Sequence, residues 1–402
     1  MNGPSSEPQG FAALSAQAPD QLLRLIALHR DDPRPDKLDL GVGVYRDAAG
    51  RTPVMRAVKE AERRLVAEQP SKAYLGAEGD IGFTAHIARL VFGDAPPSSD
   101  RLFGVQTPGG TGALRLGAEL IARANPDTTV WLGTPTWPNH GPIFIEAGLR
   151  VREHPFYARD TATIAFEVMV ATLEREARAG DVLLLHGCCH NPTGAGFSAE
   201  QWAALTALAA RRGLMPFVDL AYQGLGDGLE ADAAPARRLL LELPEALLAY
   251  SCNKNFGLYR DRVGALFVTG ASAEATALVR SNLLALGRSL WSMPPDHGAA
   301  IVRLILDDPA LAADWQAELA GMRDRLNGLR LALARACPPI AALAEQRGMF
   351  ALLPLDRAAI LALRNARAIY MAENGRINIA GLGEGDVPGF AEAIRPMIEA
   401  SR

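Results

Sequence analysis

Residues 251–264 have the sequence Ser251-Cys-Asn-Lys-Asn-Phe-Gly-Leu-Tyr-Arg-Asp-Arg-Val-Gly264, which places Lys254 eight positions before Arg262. A lysine amine can bind an aldehyde cofactor covalently, and a phosphate on such a cofactor requires hydroxyl donors and a fixed positive charge nearby. Ser251 and Arg262 have those properties. Alone, the segment also fits an exposed lysine and arginine in a glycine-containing loop, so the rest of the chain must decide between the two interpretations.

The composition of the 402-residue chain argues against several classes of protein. A formal net charge of −4 without a basic run disfavours a nucleic acid or an anionic membrane as partner. Met1 to Gly10 lacks the basic and apolar regions of a secretory signal, and no stretch approaches the roughly 20 apolar residues of a membrane span. The four cysteines, of which Cys188 and Cys189 are adjacent, do not form a disulfide framework. We therefore expect a cytoplasmic protein with reduced thiols.

Short apolar runs alternate with longer helical patterns through the middle of the chain. This alternation predicts an α/β fold with a mostly parallel sheet covered by helices on both faces. Trp137, Asn191, Asp219 and Lys254 follow or end such runs, where open α/β sheets bind their ligands. We expect strands at 129–132, 182–186, 216–219, 247–251 and 265–269, and helices at 113–124, 166–179, 198–212, 274–286 and 310–336, followed by shorter apolar pieces at 349–353, 368–371 and 376–379.

Two further features fit a phosphorylated cofactor. Gly109-Gly-Thr-Gly112 directly precedes a helical pattern, so backbone N–H groups at the helix start would face a small anion. A plain glycine turn is the alternative. Asp219 ends an otherwise apolar strand, where a carboxylate is costly unless a cation or hydrogen bonds stabilise it. A protonated pyridine nitrogen would do so, and a turn or helix-capping role is the alternative for this residue.

These segments together resemble the class I aspartate and aromatic aminotransferases, which use pyridoxal 5'-phosphate. The resemblance implies a fold type I transferase that forms a homodimer with shared active sites. It also implies that residues 1–50 join residues 313–402 in a small α+β domain, and that residues 51–312 form the large cofactor-binding domain. The segments that carry the resemblance, in chain order, are 39–45, 74–76, 106–115, 135–140, 186–194, 219–224, 251–264, 294–295 and 375–381.

The resemblance implies cofactor roles for the matching residues. Lys254 would bind the cofactor and then move a proton as general acid and base, while Asp219, supported by His140, would face the pyridine nitrogen. Tyr222 and Asn191 would donate hydrogen bonds to the phenolic oxygen. Trp137 would stack on the ring. The phosphate would be bound by Gly110, Thr111, Ser251 and Arg262, and also by Tyr74 of the partner subunit.

Two arginines match the substrate-binding arginines of the same family, because a guanidinium binds a carboxylate through two parallel hydrogen bonds. Arg376 matches the clamp for the α-carboxylate. Arg288 matches the arginine that crosses the dimer interface to a side-chain carboxylate, with an ordinary exposed charge as the alternative. The residues implied to border the substrate are Arg376, Arg288, Gly43, Trp137, Asn191 and Met293.

The chain departs from the family at two positions. Asn253 precedes the lysine where the family usually has a serine hydroxyl, and its amide can still donate a hydrogen bond. Met293 stands where enzymes restricted to aspartate and glutamate commonly have asparagine, and a flexible thioether there favours an aromatic ring. We therefore expect ping-pong transfer of the amino group of tyrosine, phenylalanine, aspartate or glutamate to a 2-oxo acid such as 2-oxoglutarate.

Four other interpretations compete with this one. An aspartate aminotransferase with little aromatic activity is the nearest. A non-catalytic cofactor-binding regulator or scaffold is disfavoured by Lys254, Asp219 and Arg376, and a decarboxylase by the two carboxylate clamps. A zinc site at His186-Gly-Cys-Cys-His190 lacks the spaced ligand pairs of structural zinc sites, so we expect no metal.

Overall fold

The computed structural model describes residues 10–17, 21–93, 96–98 and 100–400. The first ten residues are expected not to form a secretory signal, and residues 1–9 of them lie outside the described residues. Within the described part, no helix is both long and apolar enough to cross a membrane. The strands are β1 (Leu38–Asp39), β2 (Leu102–Pro108), β3 (Thr129–Thr134), β4 (Arg150–Pro155), β5 (Tyr157–Ala158), β6 (Thr163–Ile164), β7 (Val182–His186), β8 (Met215–Leu220), β9 (Ala246–Ser251), β10 (Val263–Thr269), β11 (Phe350–Leu352), β12 (Ile369–Tyr370) and β13 (Arg376–Asn378).

A seven-stranded sheet in the order β2-β10-β9-β8-β7-β3-β4 organises the middle of the chain. β10 runs antiparallel to both of its neighbours, and the other neighbouring pairs are parallel, which confirms the expected mostly parallel sheet. Every residue of β9 and β10 is buried, as their unbroken apolar sequences require when helices cover both faces. All five expected strands lie within observed ones.

Helices cover this sheet and extend beyond it. The helix Ala199–Arg212 starts with a capping box, in which Ser198 Oγ accepts from the Gln201 backbone N–H and the Gln201 side chain accepts from the Ser198 N–H. The expected helices are all present, although the one expected to reach residue 179 ends at Glu176. The helices are α1 (Gln21–Asp31), α2 (Arg56–Glu68), α3 (Ile81–Phe92), α4 (Gly109–Ala124), α5 (His140–Glu146), α6 (Phe166–Glu176), α7 (Ala199–Arg212), α8 (Leu229–Glu242), α9 (Ala273–Leu290), α10 (His297–Asp307), α11 (Pro309–Ala336), α12 (Arg357–Arg367) and α13 (Asp386–Ala400).

Three two-stranded sheets are separate from the central one within the described residues, and one of them is the β5–β6 hairpin pair. β1, near the start of the chain, pairs in parallel with β12, and β11 pairs antiparallel with β13. The N-terminal segment therefore shares a layer with residues near the C-terminus. α11 spans 28 residues, and Asp308 caps its start by accepting from the Ala310 and Leu311 N–H groups. Proline at its first position fits because that N–H needs no partner within the helix.

The carboxyl ends of several central strands meet at one edge. His186 at the end of β7 pairs with Asp219 in β8, and Gly264 in β10 pairs with both Ser251 and Thr107. Because β10 is antiparallel, its first residues lie at the same edge as the last residues of β2 and β9. This edge therefore collects residues that follow parallel strands together with residues that precede β10.

Candidate active site

A cavity of about 190 Å³ lies at this edge of the sheet. It brings together nine of the residues expected to bind the cofactor, from five separate segments of the chain. His140 lies directly behind Asp219, whereas Tyr74 is 93% exposed and does not border the cavity. The nine residues that line the cavity are Gly110, Thr111, Trp137, Asn191, Asp219, Tyr222, Ser251, Lys254 and Arg262.

Lys254 lies three residues after the end of β9, in a turn closed by the hydrogen bond from Gly257 N–H to its carbonyl oxygen. Its ammonium nitrogen lies 4.9 Å from the centre of the Tyr222 ring. Burial lowers the pKa of Lys254 to about 8, although the Asp219 carboxylate acts in the opposite direction. A substantial fraction of this amine is therefore neutral near pH 8, which both covalent attachment and proton removal require.

Asp219 is 8% exposed, and its carboxylate accepts a hydrogen bond of 3.0 Å from His140 Nε2. Burial alone would raise the pKa of Asp219, but the His140 hydrogen bond and the charges of His186 and Lys254 hold it below its ordinary value. The carboxylate therefore stays ionised at neutral pH. An ionised carboxylate in this position suits a cationic ring nitrogen.

Thr136 links two histidines behind Asp219. Its hydroxyl lies 2.8 Å from His140 Nδ1 and 3.1 Å from His186 Nε2, so hydrogen bonds continue from the carboxylate through His140 and Thr136 to His186. Burial lowers the pKa of His186 to about 3. The sequence reasoning missed Thr136, although its place between Pro135 and the singled-out Trp137 could have pointed to it.

The start of α4 forms a concave surface suited to an anion. Gly109 has φ +71°, and a Cβ atom built there would lie 2.7 Å from Arg262 Nη2. A Cβ at Gly110 would lie 3.0 Å from the Ser251 Cβ. Only glycine allows the helix start to approach the arginine and the serine this closely. The first N–H groups of α4, the Ser251 hydroxyl and the Arg262 guanidinium thus surround one position for a phosphate.

Several buried polar atoms in this cavity have no partner within the described residues. Asn191 Oδ1 and Asn253 Oδ1 are both buried without a hydrogen bond. A buried amide oxygen without a partner costs about 1–3 kcal/mol, so a ligand or water is needed to satisfy it. Burial raises the pKa of Tyr222 well above its usual range, so its hydroxyl remains a donor. Donors and acceptors near Asp219 at one end, and an anion position at the other, match the two polar ends of a phosphorylated pyridine.

Arg376 and Gly43 lie together beside Tyr222. The Arg376 guanidinium stacks 4.6 Å from the centre of the Phe350 ring and donates to the Gly41 carbonyl oxygen at 3.2 Å. Its Nε is buried without a partner, and burial lowers its pKa. A Cβ at Gly43 would lie 2.9 Å from the tip of Phe350. Phe350 therefore fixes the orientation of the arginine, a contact that the apolar run around it gave no reason to expect.

Arg288, Met293 and Tyr74 lie away from the cofactor cavity of the same chain. Arg288 is exposed in the last turn of α9 and donates to the Ser292 hydroxyl. Met293 Sδ lies 3.0 Å from the backbone nitrogen of Leu75, next to Tyr74. These residues thus form a second group, separate from Lys254 and Asp219.

The cavity fits a flat, aldehyde-bearing ring with a cationic nitrogen and a phosphate, which are the properties of pyridoxal 5'-phosphate. Fold and cavity together define a fold type I pyridoxal-phosphate enzyme. The chain belongs to the aminotransferase class I and II family, whose model matches residues 35–394.

Individual relatives agree with this assignment. The chain is 54% identical to a tyrosine aminotransferase of Rhizobium meliloti, over 92% of this chain and 96% of that protein. It is 41% identical to an aspartate aminotransferase of Salmonella typhi, over 96% and 99% of the two chains. Among solved structures, an aromatic-amino-acid aminotransferase from Burkholderia pseudomallei, covalently bound to pyridoxal phosphate, superposes with a TM-score of 0.93 at 36% identity, covering 97% of this chain and 100% of that one. The chain is thus an aminotransferase, and its cofactor is pyridoxal 5'-phosphate.

Proposed function

We propose that this aminotransferase acts on aromatic amino acids, tyrosine and phenylalanine, and on aspartate and glutamate, with a 2-oxo acid such as 2-oxoglutarate as amino-group acceptor. The observation that carries the chemistry is the buried Lys254 amine, with a pKa of about 8, in one cavity with Asp219 and the anion position. The relatives include both tyrosine and aspartate aminotransferases, which supports the two substrate classes.

The phosphate-binding residues in this proposal are Gly110, Thr111, Ser251 and Arg262, all around the start of α4. Arg262 donates to the Tyr259 carbonyl oxygen at 3.2 Å and is in none of the described ion pairs, and burial lowers its pKa. An anion beside it would offset the cost of burying its positive charge. Trp137 borders the same cavity and would cover one face of the ring.

When bound, pyridoxal phosphate supplies a cationic ring that withdraws electrons and makes the substrate Cα–H acidic. Asp219 keeps the ring nitrogen protonated, because its ionised carboxylate is held by His140 at 3.0 Å. Asn191 and Tyr222 donate toward the phenolic oxygen. Lys254, which would hold the cofactor, would remove the proton from the substrate Cα as general base and later return a proton as general acid.

Arg376 binds the α-carboxylate in this proposal. Its fork lies against Phe350, and its unpartnered Nε offers a donor inside the site. Because Phe350 also contacts the Tyr222 ring, at 6.3 Å between centres, it places the arginine close to one of the cofactor donors. The α-carboxylate would thus be held at a fixed distance from Lys254, which orients the Cα–H bond.

Substrate range follows from the second group of residues. Arg288 offers a guanidinium to a side-chain carboxylate, and Met293 offers an apolar thioether to an aromatic ring. Neither lies in the cofactor cavity of its own chain, which supports a homodimer in which this group completes the neighbouring site. Tyr74 at 93% exposure, Leu75 at 40% and Leu290 at 39% would be covered in such an interface.

We also propose the domain division and location expected from the sequence. The pairing of β1 with β12 supports joining residues 1–50 to residues 313–402, with residues 51–312 as the large domain. The boundary at residue 312 then falls in the first turn of α11, so one continuous helix would connect the domains. A cytoplasmic location accords with the free cysteines Cys188, Cys189, Cys252 and Cys337.

The second candidate is an aspartate aminotransferase with little aromatic activity, favoured by the exposed Arg288 guanidinium. One experiment separates the two. The purified protein, supplied with pyridoxal phosphate and 2-oxoglutarate, is assayed with tyrosine, phenylalanine and aspartate. Comparable kcat/KM values for all three support the proposal, values for the aromatic substrates several hundred-fold below that for aspartate support the second candidate, and no amino transfer at all would refute both.

A further inference from the structure

A second cavity, of about 240 Å³, is separated from the cofactor cavity by His186, which borders both. Cys188, Cys189 and Asp232 line it. Two thiol sulfurs and one carboxylate oxygen from these residues all lie within 4.8 Å of one another. The proposed reaction uses none of the three side chains.

The two adjacent cysteines point to the same side of the chain. Successive side chains of an extended segment normally point to opposite sides. Cys189 instead has φ +49°, in the left-handed region, and the two thiols are hydrogen-bonded to each other. A residue other than glycine in this conformation costs about 1–2 kcal/mol. The chain therefore holds the thiol pair together at a position where glycine would be less strained.

Asp232, in the first turn of α8, is fixed by backbone donors. Its Oδ2 accepts from the N–H groups of Gly224 and Gly226 at 2.8 and 2.9 Å, and its Oδ1 accepts, among the described residues, only from the Asp227 N–H at 2.8 Å. Oδ1 therefore keeps a free lone pair. A Cβ atom at Gly226 would lie 2.5 Å from Oδ1 and 3.0 Å from Cys189 Sγ, so this glycine leaves the space between oxygen and sulfur open.

The cluster contains three acidic groups, and the charge of the buried Arg330, which does not line the cavity and donates to the Gly348 carbonyl oxygen, acts on Cys189. Two thiols and one carboxylate are groups whose ionised forms bind cations. Arg347, which also lines the cavity, is paired with Asp227 at 2.7 Å. A bound cation would remove the cost of charging these groups.

We propose that Cys188, Cys189 and Asp232 form a binding site for a thiophilic divalent cation of the zinc and cadmium type. Thiolate sulfur selects such ions, and tetrahedral zinc with bonds of about 2.3 Å to sulfur requires the two sulfurs about 3.8 Å apart, within reach of small side-chain rotations. Binding forms two metal–sulfur bonds and releases the two thiol protons to solvent, with no change in oxidation state. Water in the cavity completes the coordination.

The neighbouring histidines do not take part in this site. Among the described residues, no ring nitrogen of His186 or His190 belongs to the group of ligand atoms that lie within 4.8 Å of one another, and His190 Nδ1 is bonded to the Thr193 hydroxyl at 2.9 Å. His190 also stacks on Phe156, with 4.1 Å between ring centres. The third ligand instead comes from a segment distant in sequence, which is why ligand spacing around the cysteines alone predicts no metal.

Cadmium binding to the holoenzyme tests the proposal through the ultraviolet charge-transfer absorption of cadmium thiolates. We expect one ion per chain, release of about two protons per ion at pH 7, and displacement of cadmium by zinc. Cys188→Ser should weaken binding at least about 100-fold, since even indirect partners of a metal ligand account for about 10–100-fold. Cys337→Ser, in a buried cysteine outside the cluster, is the matched control and should bind as the parent does.

The visible absorption of the bound cofactor shows in each variant that the site at Lys254 is intact. Cys188 is only partly buried, so this substitution should fold even where Cys189→Ser does not. No thiolate absorption in the parent, equal binding by Cys188→Ser and the parent, or loss of binding in Cys337→Ser would each overturn the proposal.

Discussion

Replacing Arg288 with alanine should separate the two substrate classes. The Arg288 guanidinium is exposed and donates to the Ser292 hydroxyl. It has no carboxylate partner among the described ion pairs of its own chain. A hydrogen-bonded contact between charged groups contributes about 1.5–3 kcal/mol. Since about 1.4 kcal/mol in the barrier changes a rate tenfold, Arg288→Ala should lower kcat/KM for aspartate by about 10–150-fold.

Tyrosine and phenylalanine should change less than about threefold in the same variant, because burial of the aromatic ring against Met293 depends on apolar area and not on the charge. 2-Oxoglutarate is itself a dicarboxylate, so a steady-state assay would mix the two effects. The measurement is therefore a single-turnover half-reaction, in which the cofactor absorbance is followed at increasing amino acid concentrations without an oxo acid.

Arg280→Ala is the matched control, because Arg280 lies on the same helix and pairs with Glu78 at 2.6 Å. It removes the same charge from α9 and should leave both substrate classes unchanged. Met293→Asn should shift the preference toward aspartate by a smaller factor. An equal loss for aspartate and tyrosine in Arg288→Ala, or no loss for aspartate, would refute the assignment of Arg288.

Three further outcomes are expected. Lys254→Met should lose nearly all turnover. Because the pKa of Lys254 is lowered to about 8 in the folded apoenzyme, the unfolded chain binds more protons than the folded one between about pH 8 and the ordinary lysine pKa. The free energy of unfolding of the wild-type apoenzyme, measured by urea titration, should therefore rise with pH in that window, and this rise should be absent from the variant. Asp219→Ala should slow Cα proton removal by several orders of magnitude. If kinetic isotope measurements with α-deuterated substrate show that the variant removes this proton as fast as the parent enzyme does, the role of this carboxylate is contradicted. Mixing Lys254→Ala chains with Arg288→Ala chains should restore dicarboxylate activity in one site of each heterodimer, and no recovery despite subunit exchange would count against shared sites.

Much of the sheet and of the cofactor cavity could be predicted from the sequence because the signals are local. Buried parallel strands have continuous apolar sequences, and residues at their ends, such as Asp219 and Lys254, necessarily meet at one edge. β2 and β4, the two edge strands of the central sheet, were not expected. Arg150–Pro155 has mostly polar residues, and only three of the seven residues of β2 are buried, so neither has the continuous apolar signal.

Contacts between distant segments could not be predicted in this way. Phe350 is one apolar residue among many until the fold sets it against Arg376 and Gly43. Thr136 becomes a link between two histidines, and Asp232 a neighbour of Cys188, only through packing of separate strands and helices. These contacts depend on the tertiary structure. Residue type and spacing along the chain do not predict which distant residues will be in contact.

The residues that bind the cofactor and the arginine that binds the substrate lie in separate sheets, and the antiparallel strand β10 belongs to the cofactor-binding one. Gly264 pairs with both Ser251 and Thr107, so main-chain hydrogen bonds fix the spacing between the lysine loop, Arg262 and the start of α4. Arg376, in contrast, lies on β13 in a different sheet. Movement of that smaller sheet during turnover would alter the grip on the substrate and leave the cofactor attachment points unstrained. Affinity for the amino acid can therefore change through mutations in and around β11 and β13 at little cost to cofactor retention, so substrate preference can diversify while the cofactor stays bound.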